Sequence, residues 1–429
     1  MRLAALDDHL RAHRPEGAAP LGWRCFQLGM LLLASSALLA GLLLFVALLL
    51  GSRGRRPPLA DRANLLLLVA AGLMVLGALG AASGGLAWVG LANWLPFFWA
   101  FWGFQPYLAT AAARRRVALW LVAGTVPVIL TGLGQLWWGW RGPFQVLGGL
   151  IIWHLHPGGN PPGRLAGLFD YANIAGAWLA MAWPLLLAAL LQPGLRKRGR
   201  AVALLLAVAL AVAVFLTDSR NAWGALVLAL PLTLGPLSWP WLLPLLGAAV
   251  LVVGLATIPG VPAPLQDPAR LVVPEAIWAR LNDLQYANRP LAMTRMAQWT
   301  IAAQMISERP WLGWGAAAFI AQYKLRSGHW HGHPHNLPLD LAVSHGLPVA
   351  ALVVGLVLWL LWRGLRGGIL TGPLFDRAWW TAALVLVVLH ATDMPYFDSR
   401  LNVAGWVLLA GLRAWRPAQA TALGEAQEP

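Results

Sequence analysis

Charge is scarce in this chain: 11% of its 429 residues are Asp, Glu, Lys or Arg, against 59% that are hydrophobic. A soluble domain carries about a quarter charged residues, so the composition excludes a water-soluble protein of this length. Mean hydropathy is +0.64. Cysteine is nearly missing, and with Cys25 alone no intrachain disulfide can form and a thiolate metal site lacks its ligands. Lysine is nearly missing as well, Lys197 and Lys324 being the two. Strict apolar–polar alternation is absent from the hydrophobic runs, which excludes a membrane β-barrel. The first 25 residues are polar with four arginines and lead into an apolar run too long for a signal-peptide core, so no cleavable leader is expected.

What is present is a series of long apolar runs, at 26–50, 63–82, 86–104, 117–138, 168–191, 201–217, 222–236, 239–257, 337–362, 378–392 and 400–415. Crossing a hydrocarbon core takes ~20 residues. The expected fold is all-α, a polytopic integral membrane protein of about 11–12 transmembrane helices with a large outer loop between late spans.

The formal net charge of +15 comes from short basic segments between these runs. Arg53, Arg55, Arg56 and Arg62 form one. Arg114 to Arg116, the group Arg196, Lys197, Arg198 and Arg200, and the pair Arg363 and Arg366 form the others. They are placed on the cytoplasmic side by the positive-inside rule. No basic folded domain exists to bind nucleic acid. Fixing 194–200 inside puts every other basic cluster inside too. The resulting organisation is a cytoplasmic tail 1–25, transmembrane helices 26–257 interrupted by an outer loop 139–167, a large extracytoplasmic loop 258–336, transmembrane helices 337–415, and a cytoplasmic tail 416–429. One conflict arises: a single crossing by 26–50 would leave Arg2, Arg11, Arg14 and Arg24 outside. A hairpin turning near Ser35 and Ser36 removes it, and is preferred.

Two outer segments are long enough to hold structure. In 139–167 an interfacial piece is expected around Phe144 to Trp153, followed by a Pro- and Gly-rich loop. In 258–336 the opening 259–268 is expected not to be regular helix, whereas Pro274 to Asn282 and Thr294 to Glu308 have helical periodicity. Arg295 opens the latter helix and Glu308-Arg309-Pro310 closes it. Met296, Trp299, Ala303 and Ile306 recur at three- and four-residue steps as its apolar face. Beyond it stand Pro310-Trp311-Leu312-Gly313-Trp314-Gly315 and four alternating histidines, His329, His331, His333 and His335. Polar groups clustered at a membrane surface point to a site. On an extended strand the four histidines would face one way and suit a metal. Gly332 and Pro334 interrupt such a strand, and tetrahedral sites draw ligands from more than one segment, so no metal is assigned.

Arg295 with Trp299, Met305-Ile306, Arg309-Pro310-Trp311-Leu312-Gly313-Trp314-Gly315, His335-Asn336 and Gly346 resemble the O-antigen ligase/O-antigen polymerase family of bacterial envelope glycosyltransferases. Arg164 to Phe169 with Asn173, and Thr217-Asp218-Ser219-Arg220 with Trp223-Gly224, fit the same pattern, so the resemblance runs in order over 164–350. Two positions depart from it. Val349 stands where the family has Gly, Thr or Tyr, and His345 where an acidic or small residue is usual.

The resemblance implies transfer of a glycan from an undecaprenyl-diphosphate carrier to a saccharide or lipid acceptor hydroxyl. The reaction would occur at the outer face of the bacterial inner membrane, without metal or other cofactor, with membrane lipids as surroundings and no nucleic-acid partner. The residue types suit that chemistry. Arginines can clamp a diphosphate bidentately and stabilise the charge that grows on it as it leaves. A neutral histidine can take the acceptor's proton. The matching positions are Arg220 and Arg295 for the diphosphate and His335 for the base, with Arg164, Arg309, His333 and Asn336 as secondary candidates. Arg309 is expected to orient the turn before Pro310. The outer segment 390–402, with Asp393, Asp398 and Arg400, is read as sealing the bundle. The rival from another class is a small-solute or bicarbonate-type transporter of the same superfamily. It would need broken helices and polar groups at mid-membrane, whereas the ionisable residues here fall at the span edges.

Overall fold

The computed structural model describes residues 10–55, 57–282 and 290–417. Arg2, Arg56 and positions 418–429 of the expected tail lie outside them.

The chain begins with α1 (Pro20–Leu32) and α2 (Ala37–Ser52). Ser36 caps α2 through Leu39 N–H. A Cβ on Gly29 would meet Leu44 and one on Gly22 would approach Leu50, so the two helices run antiparallel in close contact. The run 26–50 is therefore a hairpin turning at Ser35–Ser36, and not one crossing. Next come α3 (Arg62–Leu79), α4 (Gly85–Leu91) and α5 (Leu95–Gly103). The run 86–104, expected as one span, is broken at 92–94. Pro96 lies in the first turn of α5, where its missing N–H is tolerated.

After α6 (Ala111–Trp137), the strands β1 (Phe144–Val146) and β2 (Ile151–Trp153) pair antiparallel. The apolar piece foreseen there is thus a hairpin, with Leu147 and Leu150 exposed at its tip. Then follow α7 (Ala172–Leu191), α8 (Lys197–Leu216), α9 (Arg220–Leu234) and α10 (Trp239–Thr257). The centre of the bundle is α7, packed against α6, α8, α9 and α17 (Leu374–His390). Its buried face carries Ala172, Ala175, Ala177, Ala180 and Ala182. Small side chains let helix backbones approach where lipid gives no hydrophobic drive.

The outer segment holds α11 (Ala263–Val272), α12 (Glu275–Leu281), α13 (Arg295–Glu308) and α14 (Ala318–Ser327). Regular helix at α11 corrects the expectation for 259–268. Pro264 sits in its first turn, where its missing N–H is tolerated, whereas the interior Pro268 leaves Pro264 C=O without its helix donor. The buried stripe of α13 is Gln298, Ala302 and Met305, while Met296, on the apolar face expected to lie on membrane or bundle, is 67% exposed.

The chain closes with α15 (Leu337–His345), α16 (Leu347–Arg366), α17 and α18 (Ser399–Ala414). The run 337–362 is split at Gly346, whose φ of +86° and the following Pro348 turn the chain. Among the described residues, six segments are long and apolar enough to cross a membrane: α3, α6, α7, α8, Pro236–Thr257 and α16. With the shorter apolar helices beside them, the fold is an all-α polytopic membrane protein.

The bundle has two chemically distinct ends. At one, Arg114 pairs with Asp376 at 2.8 Å, Arg413 with Asp61 at 2.6 Å, and Arg363 donates to Trp415 O at 2.8 Å. The histidines and the start of α7 gather at the other.

Candidate active site

Four connections meet at the histidine end: 154–171, 217–219, 328–336 and 391–398. The turn Pro310–Gly315 buttresses the third. Trp314 N–H and Gly315 N–H donate to Val343 O (2.8 Å) and Ser344 O (2.9 Å), and Leu347 N–H donates to Pro310 O (2.8 Å). The first two satisfy carbonyls at the C-terminus of α15. A Cβ on Gly313 would lie 2.6 Å from His345 N, and one on Gly346 2.1 Å from Trp311 O. The Trp-Gly motif is thus a backbone joint. Arg309 belongs to it, its guanidinium 4.3 Å from the Trp314 ring and its Nη1 donating to Gly80 O at 3.4 Å.

His335 is placed from both sides. Asn336 caps α15 by accepting Leu339 N–H (2.9 Å), and its amide donates to Ala391 O (2.9 Å), tying 328–336 to 391–398. On the other side, Trp299 Nε1–H donates to Pro334 O (2.9 Å) and fixes the loop to α13. Between these ties His335 adopts φ +50°. That left-handed conformation costs about 1–3 kcal/mol and persists where surroundings over-determine it.

The ring of His335 bonds at both nitrogens. Nδ1 lies 2.7 Å from Asp393 Oδ1, and Nε2 lies 3.0 Å from His331 Nε2. Burial alone would raise the Asp393 pKa. The His335 hydrogen bond and charge, Met394 N–H and Arg295 outweigh it and hold the carboxyl at about 2. An ionised Asp393 requires Nδ1 of His335 to donate, which leaves the Nε2 lone pair facing His331. His333 packs beside it, ring centroids 4.3 Å apart, and burial lowers its pKa to about 4, helped by His335 and opposed by Asp393. One ligand atom from each of His333, His335 and Asp393 lies within 4.8 Å of the others, so these three could hold a metal ion.

A polar chain leads from Asp393 to the arginines. Asn173 donates to Asp393 Oδ2 (3.1 Å) and accepts from Arg164 Nη2 (2.6 Å). Arg164 is buried and also donates to Thr217 O (2.8 Å) and Asp218 O (3.2 Å). Arg280 of α12 meets Asp218 Oδ2 at 2.9 Å. Arg220, opening α9, donates to Leu281 O (3.4 Å). Burial pushes the Asp218 pKa up although the charges of Arg280, Arg164 and Arg220 all pull it down. Arg295, at the start of α13, acts electrostatically on both His333 and Asp393.

The structure therefore joins His335, His333, Asn336, Arg295, Arg164 and Arg220 around one end of the bundle, and holds Arg309 apart at the Trp-Gly joint. Asp393, Asn173, Arg280 and His331 complete the cluster. The reading of 390–402 as a seal suits Asp398 and Arg400, which pair at 2.5 Å while Arg400 Nη1 donates to Leu168 O (2.8 Å). It does not suit Asp393, whose hydrogen bond to His335 spans 58 residues of sequence. A lone acidic residue after an apolar run carried no signal of that partner. Leu337, Pro338, His390, Tyr396 and Asn402 are among the residues lining a mostly apolar cavity of about 120 Å³ between α15, α16, α17 and α18.

The arrangement can deprotonate a hydroxyl at His335 and can hold an anion with several arginines. No curated protein matches the chain. Residues 205–354, which include Arg220, Arg295 and His335 and stop short of Asp393, match the family model described as O-Antigen ligase.

Proposed function

We propose that this protein is a metal-independent glycosyltransferase that moves a glycan from an undecaprenyl-diphosphate carrier to an acceptor hydroxyl, at the outer face of a bacterial inner membrane. The observation that carries the reading is the His335–Asp393 pair, linked through Asn173 and Arg164 to the loop that opens into Arg220. The membrane fold and the family match support glycan processing of the ligase or polymerase kind.

In this reading the acceptor oxygen attacks the anomeric carbon as the bond from that carbon to the diphosphate oxygen breaks. The bonding pair leaves on the diphosphate. Arg220 and Arg295 neutralise it, with Arg280 beside them, by charge-assisted hydrogen bonds of the kind arginine forms with phosphate. The hydroxyl proton passes to His335 Nε2, and Asp393 stabilises the imidazolium through Nδ1. The His331 Nε2–H, 3.0 Å away, marks the direction from which the acceptor O–H arrives. Arg164, His333 and Asn336 act as supports and Arg309 as part of the joint. The mostly apolar cavity suits the first isoprenoid units of the carrier better than a sugar.

The test is polysaccharide profiling of a deletion strain complemented by wild type, Arg220→Ala, Arg295→Ala or His335→Ala. Loss of a surface glycan, accumulation of carrier-linked chains and rescue by wild type alone are expected. Glycan chain lengths then separate polymerase from ligase. An identical profile in all strains, with each variant present in the membrane, overturns the proposal.

A further inference from the structure

We propose that His331, His333 and His335, backed by Asp393, form a zinc-binding site, and that Zn²⁺ bound there silences glycan transfer. The inhibitory half rests on the reading of His335 as the base; the binding half does not. The Nε2 atoms of His331 and His335 lie 3.0 Å apart. Two nitrogens bound to one tetrahedral zinc at about 2.0–2.1 Å stand roughly 3.3 Å apart, so an ion fits between them with a shift of a few tenths of an ångström. Coordination needs His331 as its Nδ1–H tautomer, and the hydrogen that bridges the two Nε2 atoms gives way to the ion.

Two further features favour a ligand set over mere ring packing. Asp393 takes the Nδ1–H of His335 at 2.7 Å, the carboxylate–histidine arrangement that orients a zinc-bound imidazole and raises its basicity. One ligand atom each of His333 and His335 lies within 4.8 Å of the other, so His333 is near enough to supply a third imidazole. The first objection raised by the sequence is met in the fold. Gly332 and Pro334 do interrupt a strand, yet the turn at His335 folds the rings together. The second segment, 391–398, supplies Asp393 as the outer partner that orients the His335 ring. Three imidazoles and no thiolate select zinc over magnesium or calcium, and the His335 side chain is 23% exposed, so the ion has access. Zinc held at Nε2 of His335 occupies the lone pair that would receive the acceptor proton.

The experiment uses the full-length protein in detergent, stripped with EDTA and titrated with Zn²⁺ alone. Wild type is expected to bind one equivalent, and Asp393→Asn to bind it about 10–100-fold more weakly, the usual cost of losing such an outer partner. His331→Ala/His333→Ala should lose that equivalent. His329→Ala should keep it, since His329 Nδ1 faces Ser327 O at 2.9 Å and not the cluster. Co²⁺ bound to wild type should show the intense visible bands of a tetrahedral imidazole site, a readout that needs no variant. Absence of zinc binding, or of that spectrum, overturns the site. In a transfer assay, saturating Zn²⁺ should lower the wild-type rate at least tenfold, with recovery on adding EDTA. Full transfer by the zinc-loaded protein overturns the inhibitory half. Absence of transfer under every condition counts against the catalytic reading, and the titration then decides the metal site alone.

Discussion

Asp393 and His335 are 58 residues apart in sequence and 2.7 Å apart in space, Oδ1 of one facing Nδ1 of the other. The contact fixes which ring nitrogen carries hydrogen, and so which one can accept a proton. Asn173, on the second oxygen of Asp393, keeps the carboxylate from rotating.

The first expectation is that Asp393→Asn lowers transfer by about 10²–10⁴-fold, because an amide can accept or donate and no longer enforces the tautomer. His335→Ala should fall in the same range. The two changes combined should cost little more than either alone, as groups acting as one unit do. Single-turnover rates with carrier-linked glycan would measure this. Multiplying losses in the double variant would separate Asp393 from the proton transfer.

A second expectation concerns the arginines. Arg220→Lys and Arg295→Lys keep the charge but lose the planar fork, and at a bidentate site that exchange is not conservative. Lysine should recover only part of the activity lost on alanine substitution, through tighter carrier binding more than through the rate at saturation. Steady-state kinetics with varied carrier concentration would separate the two. Full activity in either lysine variant would reduce that arginine to a surface charge.

How much of this was legible from the residues depends on distance along the chain. The bounds of the helix Arg295–Glu308 were readable, because Thr294 can cap it, Ala297 N–H meeting its hydroxyl, and Pro310 must end it. The place of His335 and Asn336 at the start of α15 was readable because they stand where an apolar run begins. Asp393 was not, since a loop carboxylate gives no sign of its partner until the helices between have packed. The break at Gly346 was hidden too. Apolar residues continue on both sides of it, and hydropathy does not register a positive φ. Which face of α13 packs on the protein was not legible, since Gln298 is buried and Met296 exposed, an ordering set by the helix's neighbours.

The arginine-rich end offers a separate test of what is structural. Arg114 and Asp376 pair at 2.8 Å with side chains about 5% exposed, and Arg114 Nη1 also donates to Leu108 O (2.9 Å). Removing one partner leaves a buried charge alone, so Asp376→Ala should destabilise the protein by about 3–5 kcal/mol. Replacing both by apolar residues of similar volume should cost far less. Thermal unfolding in detergent would rank the variants. Transfer per folded molecule should be unchanged in all of them, because the pair sits at the far end of the bundle from His335.

Glycines within the family-like segments divide into two kinds, and the division is testable. Gly346 has φ +86°, and a Cβ there would lie 2.1 Å from Trp311 O, which is backbone and cannot swing away. With ψ 163° this backbone lies in a region essentially reserved for glycine, so Gly346→Ala should cost about 1–3 kcal/mol, plus whatever parting the joint from α15 requires. Gly224, in the first turns of α9, has open space where a Cβ would go. Gly224→Ala should be neutral or stabilising by up to about 1 kcal/mol, through helix propensity and a less flexible unfolded chain. Protein levels in the membrane and unfolding midpoints would report both. Loss of transfer in a stable Gly224→Ala protein would show instead that substrate passes close to the start of α9, beside Arg220.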